Sequence, residues 1–110
     1  MRTEGPGFAV LYRWRLRPGM EAAFVEAWTL LSRELMQKGS LGSRLHRGPD
    51  EVWYSYAQWP SAETRSLAFS IASSNPAASA VMQEAIAERL PEIVLESVSD
   101  LLVVPSRSEA

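Results

Sequence analysis

FAVLYRWRLRPGMEAAFVEAW, running from Phe8 to Trp28, changes its hydrophobic period in the middle. Phe8, Val10, Tyr12, Trp14 and Leu16 fall on one side of an extended chain, and Arg13 and Arg15 on the other. That alternation predicts a strand with one apolar and one charged face. Pro18 and Gly19 break it. Beyond them Phe24, Ala27, Trp28, Leu31 and Leu35 recur at steps of three and four, the apolar stripe of a helix. The stretch therefore reads as half of a β-α-β unit. An aromatic strand feeding such a helix implies a layered fold that encloses a cavity, not a plain bundle.

Before this stretch, Gly5, Pro6 and Gly7 among charged neighbours make residues 1–7 a flexible lead-in. After it, the helix runs from Met20 to about Met36, with Lys38 and Gly39 as a C-terminal charge and stop. A second strand is expected within Leu41 to Arg47, a turn at Gly48, Pro49 and Asp50, and a third strand over VWYSYAQW, Val52 to Trp59. These two strands should form an antiparallel hairpin. Pro60 and Ser61 open a helical stretch to about Ile71, which SSNP at Ser73 to Pro76 interrupts. Asn75 as N-cap and Pro76 in the first turn then start another helix, with Val81, Met82, Ala85, Ile86 and Leu90 as its stripe and Pro91 as its end. The last strand is expected over Val98 to Val104, with Ile93 to Leu95 as an approach or arm. Residues 105–110 are a polar tail.

The resulting order, β-α-β-β-α-β with the second helix in two pieces, predicts an α+β ferredoxin-like plait over residues 8–104: an antiparallel sheet with helices on one face. The other face carries Leu11 and one parity of the third strand, so it is not fully polar. Two such sheets packed face to face would form a dimeric α+β barrel, hence a homodimer. With 110 residues the chain is one domain small enough for a partner to add a useful share of burial.

A formal charge of −2 leaves no electrostatic footprint for nucleic acid or for an anionic membrane. With no cysteine there are no disulfides, thiolate chemistry or zinc ribbons, and with one histidine no metal site is expected within one chain. Nothing near the N-terminus reads as a signal peptide or spanning helix, so a cytoplasmic protein is expected.

RLRPGMEAAFVEAW at Arg15 to Trp28 and YAQWPSAE at Tyr56 to Glu63 resemble the antibiotic biosynthesis monooxygenase family of dimeric α+β barrel proteins. Related stress-responsive and isomerase-like barrels share much of the pattern. The resemblance implies a homodimer with a small hydrophobic pocket in each subunit, between sheet and helices. It also implies oxygenation of small phenolic or quinol-like aromatic substrates by molecular oxygen, with no metal, flavin or haem cofactor. An electron-rich phenolate can itself pass an electron to oxygen, and the protein then supplies orientation, proton management and a dry cavity. The chain departs from the pattern where many relatives carry a histidine: TRSLAFSIASS, Thr64 to Ser74, has none. Haem-degrading members use an Asn, a Trp and a His at places where this chain has Tyr12, Ala68 and alanines, so haem degradation is not expected.

The candidate catalytic residues are Tyr12, whose phenol can bond a substrate oxygen, and His46, the one side chain whose ordinary pKa suits proton transfer near neutral pH. Trp14, Tyr54, Tyr56, Phe24 and Trp28 are candidates for binding an aromatic ligand, and Arg44 for holding an anion. The same aromatics could equally be core, His46 an exposed hairpin residue, and Trp59 a packing residue at its strand's end. Parity alone does not say whether Tyr54 and Tyr56 or Trp53 and Trp59 meet the helices. Two further functions remain open: a noncatalytic dimer binding a small apolar ligand or modifying a partner, and an isomerase or lyase on the same barrel.

Overall fold

The computed structural model of the chain describes residues 7–103. Its elements follow the order β1 (Phe8–Leu16), α1 (Glu21–Gln37), β2 (Ser43–Arg47), β3 (Trp53–Trp59), α2 (Ala62–Ser70), α3 (Pro76–Ala85) and β4 (Ile86–Glu96). The four strands form one antiparallel sheet in the order β2-β3-β1-β4. This is the α+β plait expected from the sequence, with β1 and β3 at its centre.

Local chemistry accounts for most element ends. α1 closes in a Schellman motif: Ser40 N–H donates to Leu35 O at 3.0 Å, Gly39 N–H to Met36 O at 3.4 Å, and Gly39 takes φ +117°, which favours glycine. The Ser61 hydroxyl caps α2 by accepting from Thr64 N–H at 3.1 Å, and Asn75 Oδ1 caps α3 by accepting from Ala78 N–H at 3.0 Å. A short 3₁₀ turn over Pro49–Glu51 joins β2 to β3.

The last third corrects the sequence reading. The helical stripe through Ile86 and Leu90 ends at Ala85, and the final paired strand is Ile86–Glu96, not Val98 to Val104. The unpaired outer edge of β1 offers a ladder along Phe8–Leu16, and those backbone bonds outweigh the helical pattern of five apolar side chains. Arg17 N–H donates to Ala85 O at 2.8 Å and seals the corner. Pro91 is tolerated inside β4 because that strand lies at the sheet edge and the ladder is irregular there. Residues 97–103 follow without pairing and are exposed; Val104 and the segments 1–6 and 105–110 lie outside the described residues.

The helices cover one sheet face. Val10, Trp14, Trp53, Ala57 and Trp59 are buried there with Phe24 and Ala27 of α1, Ala68 of α2 and Ala85 of α3. Phe24 stands edge-on between Trp14 and Trp53, with ring centroids 5.2 and 6.0 Å apart. On the opposite face, pairing sets Leu11 beside Tyr56 and Ile93, Arg13 beside Tyr54, and Ala9 beside Leu95. Among the described residues no helix covers that face. Among the described residues no helix is long and apolar enough to cross a membrane.

Candidate functional site

A cavity of about 210 Å³ lies between the helix-side face of the sheet and the helices. β1 contributes Tyr12 and Trp14, β3 contributes Ser55, Ala57 and Trp59, and α1 contributes Trp28, Leu31 and Leu35. Phe69 of α2 and Met82 of α3 close the wall. The inward positions of two adjacent strands alternate with outward ones, so aromatic and small side chains line up as a wall without filling the space. Tyr12 and Trp14 stack with centroids 6.0 Å apart and planes 5° apart.

Few polar atoms reach this apolar space. Trp28 Nε1–H donates to Ser55 Oγ at 3.1 Å, so the Ser55 hydroxyl has its own proton free to donate onward. Trp59 is 1% exposed, and its Nε1–H is buried without an acceptor among the described residues. An orphaned donor of this kind costs about 1–3 kcal/mol. Burial pushes the Tyr12 phenol above its ordinary pKa, against the lowering effect of the Arg65 guanidinium, whose Nε–H donates to Tyr12 Oη at 3.0 Å. The phenol therefore stays protonated at neutral pH and is a donor, not a base. Burial also works against the charge of Arg65, but its bond to Tyr12 and the fields of Tyr12 and Glu92 outweigh it and hold the guanidinium charged.

The expected site residues divide between the two faces of the sheet. Tyr12, Trp14 and Trp28 meet in the cavity. Phe24 does not line it; fully buried, it supports Trp14 from the core. Arg44 pairs with Tyr56, and His46 with Tyr54, on the open face, where Arg44, His46 and Tyr56 border a shallow groove with Gln58 and Leu102. Tyr12 and His46 thus stand on opposite sides of one sheet and cannot serve one pocket within a chain. The choice between the two parities of β3 is resolved as well: Trp53 and Trp59 meet the helices, Tyr54 and Tyr56 the open side. In sequence Trp59 reads as a packing residue at its strand's end, with the cavity-facing parity left open, and Ser55 and Arg65 carry no site assignment. The i, i+4 step from Ser55 to Trp59 was a usable signal, since it sets both on the face of Ala57. Among the described residues no three His, Cys, Asp or Glu stand close enough to hold a metal ion.

Solved structures with this architecture include a candidate antibiotic biosynthesis monooxygenase from Chloroflexus aurantiacus, 19% identical with a TM-score of 0.68 over 84% of this chain and 94% of that one. A second candidate antibiotic biosynthesis monooxygenase, from Bordetella bronchiseptica, is 17% identical with a TM-score of 0.72 over 86% of this chain and 100% of its own. This chain has their fold. SnoaB, a cofactor-independent oxygenase from Streptomyces nogalater, shares it too, at 12% identity and a TM-score of 0.72, covering 88% of this chain and 98% of its own. No protein-family model matches the sequence, and no curated protein matches it either.

Proposed function

We propose that the helix-side cavity binds a small aromatic, phenolic or quinol-like molecule, and that the chain is a cofactor-independent monooxygenase of the antibiotic biosynthesis type. The observation that carries this reading is a cavity of about 210 Å³ walled by the rings of Tyr12, Trp14, Trp28, Trp59 and Phe69, with the Tyr12 hydroxyl as a polar group at its edge. The resemblance in sequence and the fold shared with SnoaB support it.

The chemistry needs no group beyond substrate and oxygen. A bound phenolate passes one electron to O₂, the radical pair combines to a ring hydroperoxide, and loss of water leaves a quinone carbonyl: phenol and O₂ give quinone and water. The protein's part is to hold the ring against the aromatic wall and exclude water.

The functional unit in this reading is a homodimer closed over the open sheet face. Leu11, Ile93 and Leu95 lie there, and Val98, Leu101, Leu102 and Val103 extend beyond β4 at 70–91% exposure. So many large apolar side chains in water mark an interaction surface. In that dimer Arg44, His46, Tyr54 and Tyr56 serve the subunit interface, not the cavity. The cytoplasm is the compartment this reading carries.

The test is oxygen uptake by chelator-treated protein across a panel of quinols and phenols, with product mass measured. Incorporation of one oxygen atom per substrate is expected. A second reading, a noncatalytic ligand carrier, rests on one observation: among the described residues Tyr12 and Arg89 are the ionisable side chains lining the cavity, and burial holds the Tyr12 phenol protonated. Saturable binding of panel compounds with no oxygen consumed would establish that reading in place of the first. Conversion that proceeds equally without oxygen would establish an isomerase or lyase.

A further inference from the structure

The β1–β4 ladder is irregular opposite Tyr12. Leu11 pairs with Ile93 and Arg13 with Leu90, so Pro91 and Glu92 together face the single position of Tyr12. A bulge of this kind bends its strand and re-aims side chains. Arg13 braces it from the open face, donating from Nε and Nη2 to Pro91 O at 3.2 and 2.9 Å. Glu92 is turned to the helix side, where its two carboxylate oxygens accept from Arg65 Nη2 at 3.1 and 3.0 Å.

The same edge of the Arg65 guanidinium reaches Tyr12, whose Oη accepts from Nε at 3.0 Å. The cation also lies 5.3 Å from the centroid of Phe69, one turn further along α2. A phenol oxygen that accepts from a guanidinium must give its own proton elsewhere. Among the described residues no acceptor takes it, and Tyr12 borders the cavity while Arg65 does not. The charged groups around the phenol are Arg65 from α2 and Glu92 from β4; Arg89, further along β4, lines the cavity and is held to Gln83 Oε1 at 2.8 Å. α1 and α3 bring no charged side chain to the cavity wall.

We propose that Arg65, held by Glu92, is a positioning residue that aims the Tyr12 hydroxyl into the cavity as a donor to an oxygen anion, so that the ligands favoured there carry a phenolate or enolate oxygen. This rests on the cavity being the ligand site. The bulge is what makes the arrangement possible, because regular pairing would leave no extra residue to turn Glu92 toward α2.

Two measurements on the full chain test it. The first needs no ligand: ¹³C-labelled tyrosine ring signals are followed against pH, with Tyr12 identified among the three tyrosines as the signal lost in Tyr12→Phe. Arg65→Gln is expected to raise the Tyr12 midpoint by about one pH unit, since a neighbouring cation that favours the phenolate is gone. Glu92→Gln is expected to raise it as well. Removal of a negative charge alone would lower it, so a downward shift in Glu92→Gln, or no shift in Arg65→Gln, overturns the proposal. Arg65→Lys, which keeps the charge but not the planar edge, should fall between wild type and Arg65→Gln.

The second measurement uses 4-nitrophenol, whose anion and neutral form absorb differently. Preference for the bound anion should fall about tenfold in Arg65→Gln, one pH unit of differential stabilisation, and not fall further when Arg65→Gln is added to Tyr12→Phe. An undiminished effect in the Tyr12→Phe background would mean that Arg65 meets the ligand itself, which overturns the positioning role. Failure of every protein to bind either form would remove the cavity as ligand site and the proposal with it. That outcome is distinct from neutral-form binding without any dependence on Arg65, which overturns the positioning role alone.

Discussion

The indole N–H of Trp59 is buried without an acceptor among the described residues, yet its ring fills the junction of β3, α2 and the cavity. Trp59→Phe removes that donor and keeps most of the apolar contact. The free protein should lose little stability, because relief of an unsatisfied N–H offsets part of the lost ring packing. Affinity for a phenolic ligand should change little, because the indole N–H is shielded from the open space of the cavity. Thermal unfolding and ligand titration on the same variant check both halves. A marked loss of affinity would mean that a ligand oxygen does reach Trp59. A strand pattern reports which side chains share a face, but not whether a polar atom finds a partner, and so Trp59 reads in sequence as a packing residue.

The connection between α2 and α3 hangs on one carboxylate of α1. Glu34 accepts from Lys38 Nζ at 2.8 Å, from Ser74 N–H at 3.0 Å and from the Ser73 hydroxyl at 2.9 Å, while Lys38 also reaches the carbonyls of Ile71 and Ala72. The Lys38 bond first, then those from Ser74 and Ser73, hold Glu34 down to about 2 from an ordinary 4.5. The unfolded chain binds the proton more readily, so stability from this contact is present in full above 4.5 and is lost as pH falls toward 2. The gap in thermal stability between wild type and Glu34→Gln should therefore be widest above pH 5, about half a unit past the ordinary carboxylate value, and close as the solution is acidified. A gap that does not change with pH would mean that the tether acts through shape, not charge. The helix break itself was legible, since Asn75 and Pro76 are a cap and a first-turn residue wherever they fall. The end of α3 was not. Ile86 and Leu90 satisfy a helical stripe and a strand alternation alike, and the vacant edge of β1 selects the strand.

The open sheet face and the 97–103 segment are the surfaces the proposed dimer would bury. Leu11 and Ile93 pair across β1 and β4 on that face, and Ile93 is 39% exposed. Ile93→Glu, alone or with Leu11→Glu, should convert a dimer to a monomer in sedimentation velocity while leaving the helix-side cavity formed. Each introduced carboxylate would lie unpaired in an apolar contact, which costs several kcal/mol. A wild-type protein that sediments as a monomer at high concentration would instead remove the barrel assembly. The α+β class, the strand–helix entry from Phe8 to Trp28, the hairpin and both helix starts were readable from residues alone, because period, turn chemistry and caps act within a few positions of the chain. Which side of β3 faces the cavity, where β4 lies, and that Tyr12 and His46 stand on opposite sides of the sheet were not. Those follow from strand register and edge pairing between residues far apart in sequence, such as Leu11 with Tyr56 and Ile93, where a shift of one residue exchanges the two faces.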